Sequence, residues 1–246
     1  VWSVEVKSLP LKRFPIKNMI LAALSHNEYR RLLPDLELIS LPLGVSLYRS
    51  GDAIEYVYFL GEGLVSLVTK MSDGTTIEVG LIGNDGMVGI PVLLGNDIAF
   101  EEAIMRIAGS AMRMKTSVFK KGLKLNHNPL LTELLLYTRT LMRQVAQTAA
   151  CNRLHTVEER LSRWLLMCHD RVEADELLLK QEFISNMLGV RRASVGGAAA
   201  GLQARGLIRY SRGRINILKR KGLEESSCEC YRAVTGRSEK GRRDGI

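Results

Sequence analysis

The chain has 246 residues, 46% hydrophobic and 25% charged, enough for one large core or two modest ones, and two domains are expected. No run approaches 18 uncharged apolar residues, which excludes a helical membrane span, and Val1-Trp2-Ser3-Val4-Glu5 lacks a signal-peptide pattern, so a cytoplasmic protein is expected. The net charge of +9 is confined to one end: residues 1–179 carry 20 Lys+Arg against 20 Asp+Glu, residues 180–246 carry 15 against 6, the footprint of a segment that meets a polyanion, nucleic acid before an acidic membrane surface.

In chain order, "MILAALSHNEYRRLL" has helical apolar spacing with Ser25 as a cap. From Leu36 to about Lys115, short β-branched and aromatic runs alternate with glycine: "LELISLPLG", "VSLYRSGD", "IEYVYFLGEG", "LVSLVTKMSDG", "TTIEVGLIG", "EEAIMRIAG" and "SAMRMKTS". Strands at this spacing, with glycine read as the turns between them, predict an all-β sandwich or barrel. "GNDGMVG" lacks the Lys and Ser/Thr of a phosphate loop and reads as a turn.

All six prolines lie at or before Pro129, and neither Gly nor Pro occurs over the 59 residues from Leu130 to Leu188. The middle of the chain is therefore helical. Asn128 caps and Pro129 opens a helix of about 24 residues, roughly 36 Å long. Leu131, Leu134, Leu141 and Val145 fall on one stripe; Leu135, Met142, Ala146 and Ala149 make a second apolar side. One side is expected against the β-domain and the other against the same helix of a second chain, and the Leu131–Val145 stripe is assigned to that dimer interface. Thr156 and Glu159 form a capping box for a following helix whose core face is Leu161, Trp164, Leu165 and Cys168.

The stretch "SNMLGVRRASVGGAAAGL" then reads as two helices and a tight turn. Ile184 and Leu188 face inward from the first, Gly189 supplies the turn, Val190 plugs the angle, and Val195, Ala198, Ala199 and Leu202 line the inner face of the second. Arg191 and Arg192 open that second helix, where side chains reach phosphate or the O6/N7 edge of guanine. Ala193 and Gly197 face outward, and their lack of bulk lets backbone approach a duplex. Ile208, Tyr210, Ile215, Ile217 and Leu218 flank Ser211-Arg212-Gly213-Arg214, a predicted β-hairpin with a cationic tip. A helix-turn-helix followed by such a hairpin is a winged helix.

With "GDAIEYVYFLGEGLVSL", "IGNDGMVG" and "QEFISNMLGVRRASV" the chain resembles the Crp/Fnr family of bacterial transcription regulators from about residue 18 to 232. The last stretch carries the resemblance best, through Gln181, Glu182, Gly189, Arg192, Ser194 and Val195. The resemblance implies an α+β fold: an N-terminal β jelly-roll of the cyclic-nucleotide-binding type (1–128), a long dimerisation helix (129–152), a C-terminal winged helix-turn-helix (153–234) and a disordered basic tail (235–246). It implies double-stranded DNA, a second copy of the chain and RNA polymerase as partners, without a membrane. DNA contacts are expected from Gln181, Arg191, Arg192, Ala193, Ser194, Gly197, Arg212 and Arg214. Relatives that bind cyclic AMP carry Gly-Glu and then Arg-Ser/Thr-Ala; the corresponding residues here are read as Gly83-Asn84 and Glu101-Glu102-Ala103. Glu in place of the phosphate-binding Arg sets negative charge against a negative ligand, so no response to cyclic AMP is expected. A small-molecule or redox sensor with an altered pocket stays open as the alternative, its effector unidentified.

The four cysteines, Cys151, Cys168, Cys228 and Cys230, are expected to be reduced thiols, and none stands early enough for an N-terminal iron–sulfur cluster. Cys228-x-Cys230 has no second Cys/His pair nearby in sequence, so neither metal nor cofactor is expected, while a thiol redox switch stays open. His26, His127, His155 and His169 are scattered singly and read as ordinary histidines. Glu101-Glu102 and Glu158-Glu159 have no nucleophile or His partner close by in sequence, so no enzyme is expected.

Overall fold

A computed structural model describes residues 16–124, 128–172 and 174–235. Position 127 and the tail beyond 235 lie outside them, although Thr235 itself closes a helix. Two compact units emerge, one holding residues 1–74 and 80–139, the other 75–79 and 140–246.

The first unit starts with α1 (Met19–Ala22) and α2 (His26–Leu32). The single helical run read from sequence is broken at Ser25, whose hydroxyl accepts the Glu28 amide while Glu28 takes the Ser25 N–H. That cap satisfies the orphan amides of a new helix. Buried Asn18 caps α1 and donates its amide to the carbonyls of Leu60 at 2.9 Å and Gly86 at 2.8 Å.

The strands β1 (Glu37–Leu41), β2 (Ser46–Tyr48), β3 (Tyr56–Lys70), β4 (Thr76–Ile82), β5 (Met87–Val88) and β6 (Glu102–Lys115) form one six-stranded sheet. Its path is β1-β6-β3-β4, with β2 on β6 and β5 on β3. The core is filled by Phe59, Ile39, Leu41, Leu60, Leu64 and Met105 of the sheet, with Leu21 of α1 and Phe119 of α4 (Thr116–Leu123). The short α3 (Ile90–Leu93) follows a left-handed Gly89.

Two expected turns are not turns. "LGEG" and "IAGS" lie inside β3 and β6, two long strands that pair antiparallel over their length, with register shifts between Leu60, Glu62, Leu64 and Val65. Gly63 has φ +86°, and a Cβ there would lie 2.5 Å from the Ile107 carbonyl; one on Gly109 would strike the Glu62 carbonyl. These glycines mark β-bulges where two backbones close on each other, a demand the sequence pattern does not separate from a turn.

The helix α5 (Pro129–Leu154) follows, then α6 (Val157–Val172), with the Thr156–Glu159 capping box in place: the Thr156 amide reaches Glu159 at 2.8 Å. These bonds hold the Glu159 carboxyl below its usual range. Leu161, Trp164, Leu165 and Cys168 are buried, and the Trp164 ring packs tilted on Phe183 at 5.8 Å. The remaining elements are β7 (Glu176–Leu178), α7 (Gln181–Leu188), α8 (Arg192–Ala204), β8 (Ile208–Ser211), β9 (Arg214–Ile217), α9 (Arg220–Glu225) and α10 (Cys230–Thr235). The hairpin carries a third strand, β7, paired with β9. Arg220 ties the last helices down: it donates to Asp170 of α6 and to the Tyr231 hydroxyl, both at 2.6 Å, and pairs with Glu224 at 3.0 Å.

Candidate nucleic-acid interface

The turn between α7 and α8 follows from one residue. Gly189 sits at φ 60°, ψ 40°, the left-handed region that ends helices cheaply only for glycine. The Gly189 and Val190 amides bond back to the carbonyls of Asn186 at 3.3 Å and Ser185 at 3.0 Å. Ile184, Met187 and Leu188 are buried beneath the turn, and Val190 is half-buried. The Arg160 guanidinium of α6 donates to the Leu188 carbonyl, capping α7 from below with a cation.

The second helix divides by face as its sequence predicts. Val195, Ala198, Ala199 and Leu202 are buried; Arg191, Arg192, Ala193, Ser194 and Gly197 are exposed. A Cβ on Gly201 would meet the end of the Glu158 side chain, which can swing aside; around Gly197 a Cβ would meet nothing within 4 Å. The bare backbone at Gly197 thus answers no internal need. Arg192 lies 3.7 Å from Glu182, close enough to orient it and, at 64% side-chain exposure, too loose to neutralise it.

The wing turns on Arg212 and Gly213, with φ 49° and 77°. Two consecutive left-handed residues make the turn that matches strand twist. The tip is anchored by the Leu179 amide on the Gly213 carbonyl at 2.7 Å, and the Tyr210 hydroxyl on the Leu179 carbonyl at 3.0 Å. Arg212 is exposed at the tip, while Arg214 is turned toward Glu176 at 2.6 Å. Lys180, Gln181, Arg192, Tyr210, Ser211 and Arg212 line one groove between wing and helix. The structure therefore gathers helix start and wing tip into a single cationic concavity.

The residues read as an effector pocket are not gathered in that way. Gly83 and Asn84 lie in a turn closed by the Gly86 amide on the Gly83 carbonyl at 3.1 Å, and the Asn84 carbonyl accepts the Met19 amide at 2.8 Å. Glu101 is buried and takes the Tyr48 hydroxyl at 3.3 Å, and that hydroxyl also meets the backbone of Gly89. Gly89, rather than Gly83, is the glycine that shares a site with Glu101. Burial raises the Glu101 carboxyl and lifts the Tyr48 phenol well above its usual value. Glu102 points the other way, 3.9 Å from Arg49, as strand alternation requires.

The assigned dimer stripe is corrected. Leu134 and Leu141 are buried within their own chain along with Leu130 and Tyr137, and Leu131 is half-buried; of the four only Val145 is exposed. A helix with two apolar sides does not say which one faces home. The side left open carries Leu135 and Met142, each more than half exposed, with Ala146 and Ala149. The isolation of Cys228-x-Cys230 is likewise corrected: the fold brings Cys151 of α5 and His155, just past its end, to it, so the ligand atoms of all four lie within 4.8 Å of one another. No helix of the described residues is long and apolar enough to cross a membrane.

Two family models match the chain: a cyclic nucleotide-binding domain over residues 38–126 and a Crp-like helix-turn-helix domain over residues 159–226. A search of curated proteins finds no match. Among solved structures the fold is similar to FixK2 from Bradyrhizobium japonicum, at 20% identity over 78% of this chain and 98% of that one, TM-score 0.67. It is similar to the c-di-GMP responsive global regulator CLP of Xanthomonas campestris, at 17% identity over 78% and 98%, TM-score 0.64. A third, TTHB099 of Thermus thermophilus, gives 22% identity over 76% and 95%, TM-score 0.63. With both matched domains present in this order and a winged helix-turn-helix as its second unit, the chain belongs to the Crp/Fnr family of DNA-binding transcription regulators, proteins that act by binding and not by catalysis.

Proposed function

We propose that the chain is a cytoplasmic, homodimeric regulator that reads double-stranded DNA with α8 and steadies itself on phosphate with the wing. The observation that carries this reading is the exposed α8 start, Arg191 to Ser194 plus the open Gly197, set beside Arg212 across one groove. Arginines at a helix start in the major groove reach the O6/N7 edge of guanine, and a helix face without bulk lies close to the bases.

Two chains are joined through the open side of α5. Leu135, Met142 and Ala149 repeat every seven residues with Ala146 between the last two, as along a coiled-coil seam, and this exposed side supports the second-copy reading. A two-fold dimer then addresses half-sites about one helical turn apart. The buried Tyr48–Glu101 pair supports a regulator that ignores cyclic AMP, since a cyclic phosphate would meet a carboxylate where a cation is needed. Contact with RNA polymerase belongs to this reading as well.

Selection of bound duplexes from a random pool tests the proposal. It is expected to yield a roughly palindromic site with half-sites about 10 base pairs apart, centre to centre, and unchanged affinity when cyclic AMP is added. Recovery of no common sequence at moderate salt would contradict it.

A further inference from the structure

The cluster of Cys151, His155, Cys228 and Cys230 is used by nothing described so far. Cys151 lies in the last turn of α5 and His155 directly follows its end, its amide bonded back to the Cys151 carbonyl at 3.1 Å, so the two stand one turn apart. Cys228 and Cys230 flank the turn into α10. The three thiols are at most 5% exposed and the imidazole 14%. The Cys151 and Cys228 sulfurs are 3.5 Å apart, and Cys230 Sγ is 3.6 Å from His155 Nδ1.

Those spacings decide between occupants. Zinc bonds of about 2.3 Å to sulfur and about 2.0 Å to nitrogen, arranged tetrahedrally, set ligand atoms roughly 3.5–3.8 Å apart. The Cys151–Cys228 and Cys230–His155 separations match two edges of such a tetrahedron, and all four ligand atoms lie within 4.8 Å of one another. An iron–sulfur cluster places several atoms between its ligands and needs them much further apart. A disulfide would use two of the thiols and leave the third thiol and the imidazole without a role.

The surroundings point the same way. His155 offers Nδ1 to the cluster while Nε2 lies 3.2 Å from the Glu229 carboxylate, the outer partner that fixes the tautomer of a metal-bound imidazole. Gln147 donates to Cys230 Sγ at 3.1 Å. Arg160 and Arg163 are buried beside the thiols, each with a nitrogen that has no hydrogen-bond partner among the described residues, Nε and one terminal nitrogen respectively. Two guanidiniums next to thiols are an odd choice for an apolar packing cluster. They suit an anion.

We propose that Cys151, His155, Cys228 and Cys230 form a tetrahedral three-sulfur, one-nitrogen site for a single zinc ion. Binding releases three thiol protons to solvent, and three thiolates with one divalent ion leave a net charge of −1 that the guanidiniums offset. The ion clamps the end of α5 to the start of α10, joining segments 75 to 77 residues apart in sequence.

The test uses the full chain, untagged and purified from reducing cells without chelator. Elemental analysis is expected to give one zinc per chain after desalting, and X-ray absorption a shell of three sulfurs and one nitrogen. Reduced, chelator-stripped chain titrated with Co(II) is expected to develop tetrahedral cobalt–thiolate absorption that saturates at one equivalent and is displaced by zinc. His155→Ala and Cys230→Ser are expected to lose at least tenfold in cobalt affinity, and Cys168→Ala to keep it. If the variants do not fold, the metal content and absorption shell of the unaltered chain still decide. Absence of zinc together with no tetrahedral cobalt spectrum overturns the proposal, as does an iron–sulfur chromophore or a Cys151–Cys228 disulfide in the freshly purified chain.

Discussion

Glycine serves opposite ends in the two units. In the β-sheet unit, Gly63 and Gly109 sit where neighbouring strands leave no room for a Cβ, so their emptiness is filled by the protein itself. In the helix-turn-helix unit, Gly197 faces open space, and its emptiness is not filled by the described residues. A missing side chain therefore signals internal closure when backbone surrounds it; openness alone signals nothing, since Gly122 of α4 is equally open, and Gly197 is set apart by its place on the exposed face of α8 behind Arg191 and Arg192. The cost differs too. A glycine forced by a bulge is the best choice for folding, whereas Gly197 inside a helix gives up about 1 kcal/mol relative to Ala.

Substitution can break this contrast. Gly109→Val drives a branched side chain into the Glu62 carbonyl and is expected to destabilise the sheet unit by about 3 kcal/mol or more, read as a lower denaturant midpoint. Gly197→Leu is expected to leave that midpoint unchanged or raised while operator affinity falls at least tenfold, about 1.4 kcal/mol; a fall in stability would place Gly197 with the packing glycines. Arg212→Gly relieves a left-handed non-glycine residue, so stability is expected to rise by roughly 0.5 kcal/mol. It should also weaken all duplexes alike, reducing the slope of affinity against salt by about one.

The smallest effect concerns Glu101. Its carboxyl is raised by burial, so the stability it allows is complete below the unfolded value of about 4.3 and is lost as pH rises through the higher folded value. Glu101→Gln is expected to remove that decline, and melting temperatures recorded from about pH 4 to pH 7 would reveal it. A steeper decline in the variant would contradict the sign.

What could be read from sequence was what lies close together in it. The Thr156–Glu159 box, the α7–Gly189–α8 turn and the Arg212-Gly213 hairpin each need only a few consecutive residues, and all three stand where expected. The failures share one physical cause, which is dependence on a distant partner. Gly61 to Gly63 looked like a turn because only the opposing Gly109 shows that the strand runs on. Leu134 and Leu135 belong to two apolar sides of equal period, and only the rest of the chain decides which is covered. Cys228-x-Cys230 looked solitary because Cys151 and His155 precede it by 73 residues and more.

The central claim is that the start of α8 reads base edges. Affinities of the unaltered chain and of Arg192→Ala, each measured on the selected operator, on operators changed at single positions and on random duplex, test it most directly. The account predicts a loss of about 1–3 kcal/mol on the operator, little loss on random duplex, and relaxed preference at one base pair per half-site. Equal losses on operator and random duplex, with every base preference kept, would contradict it.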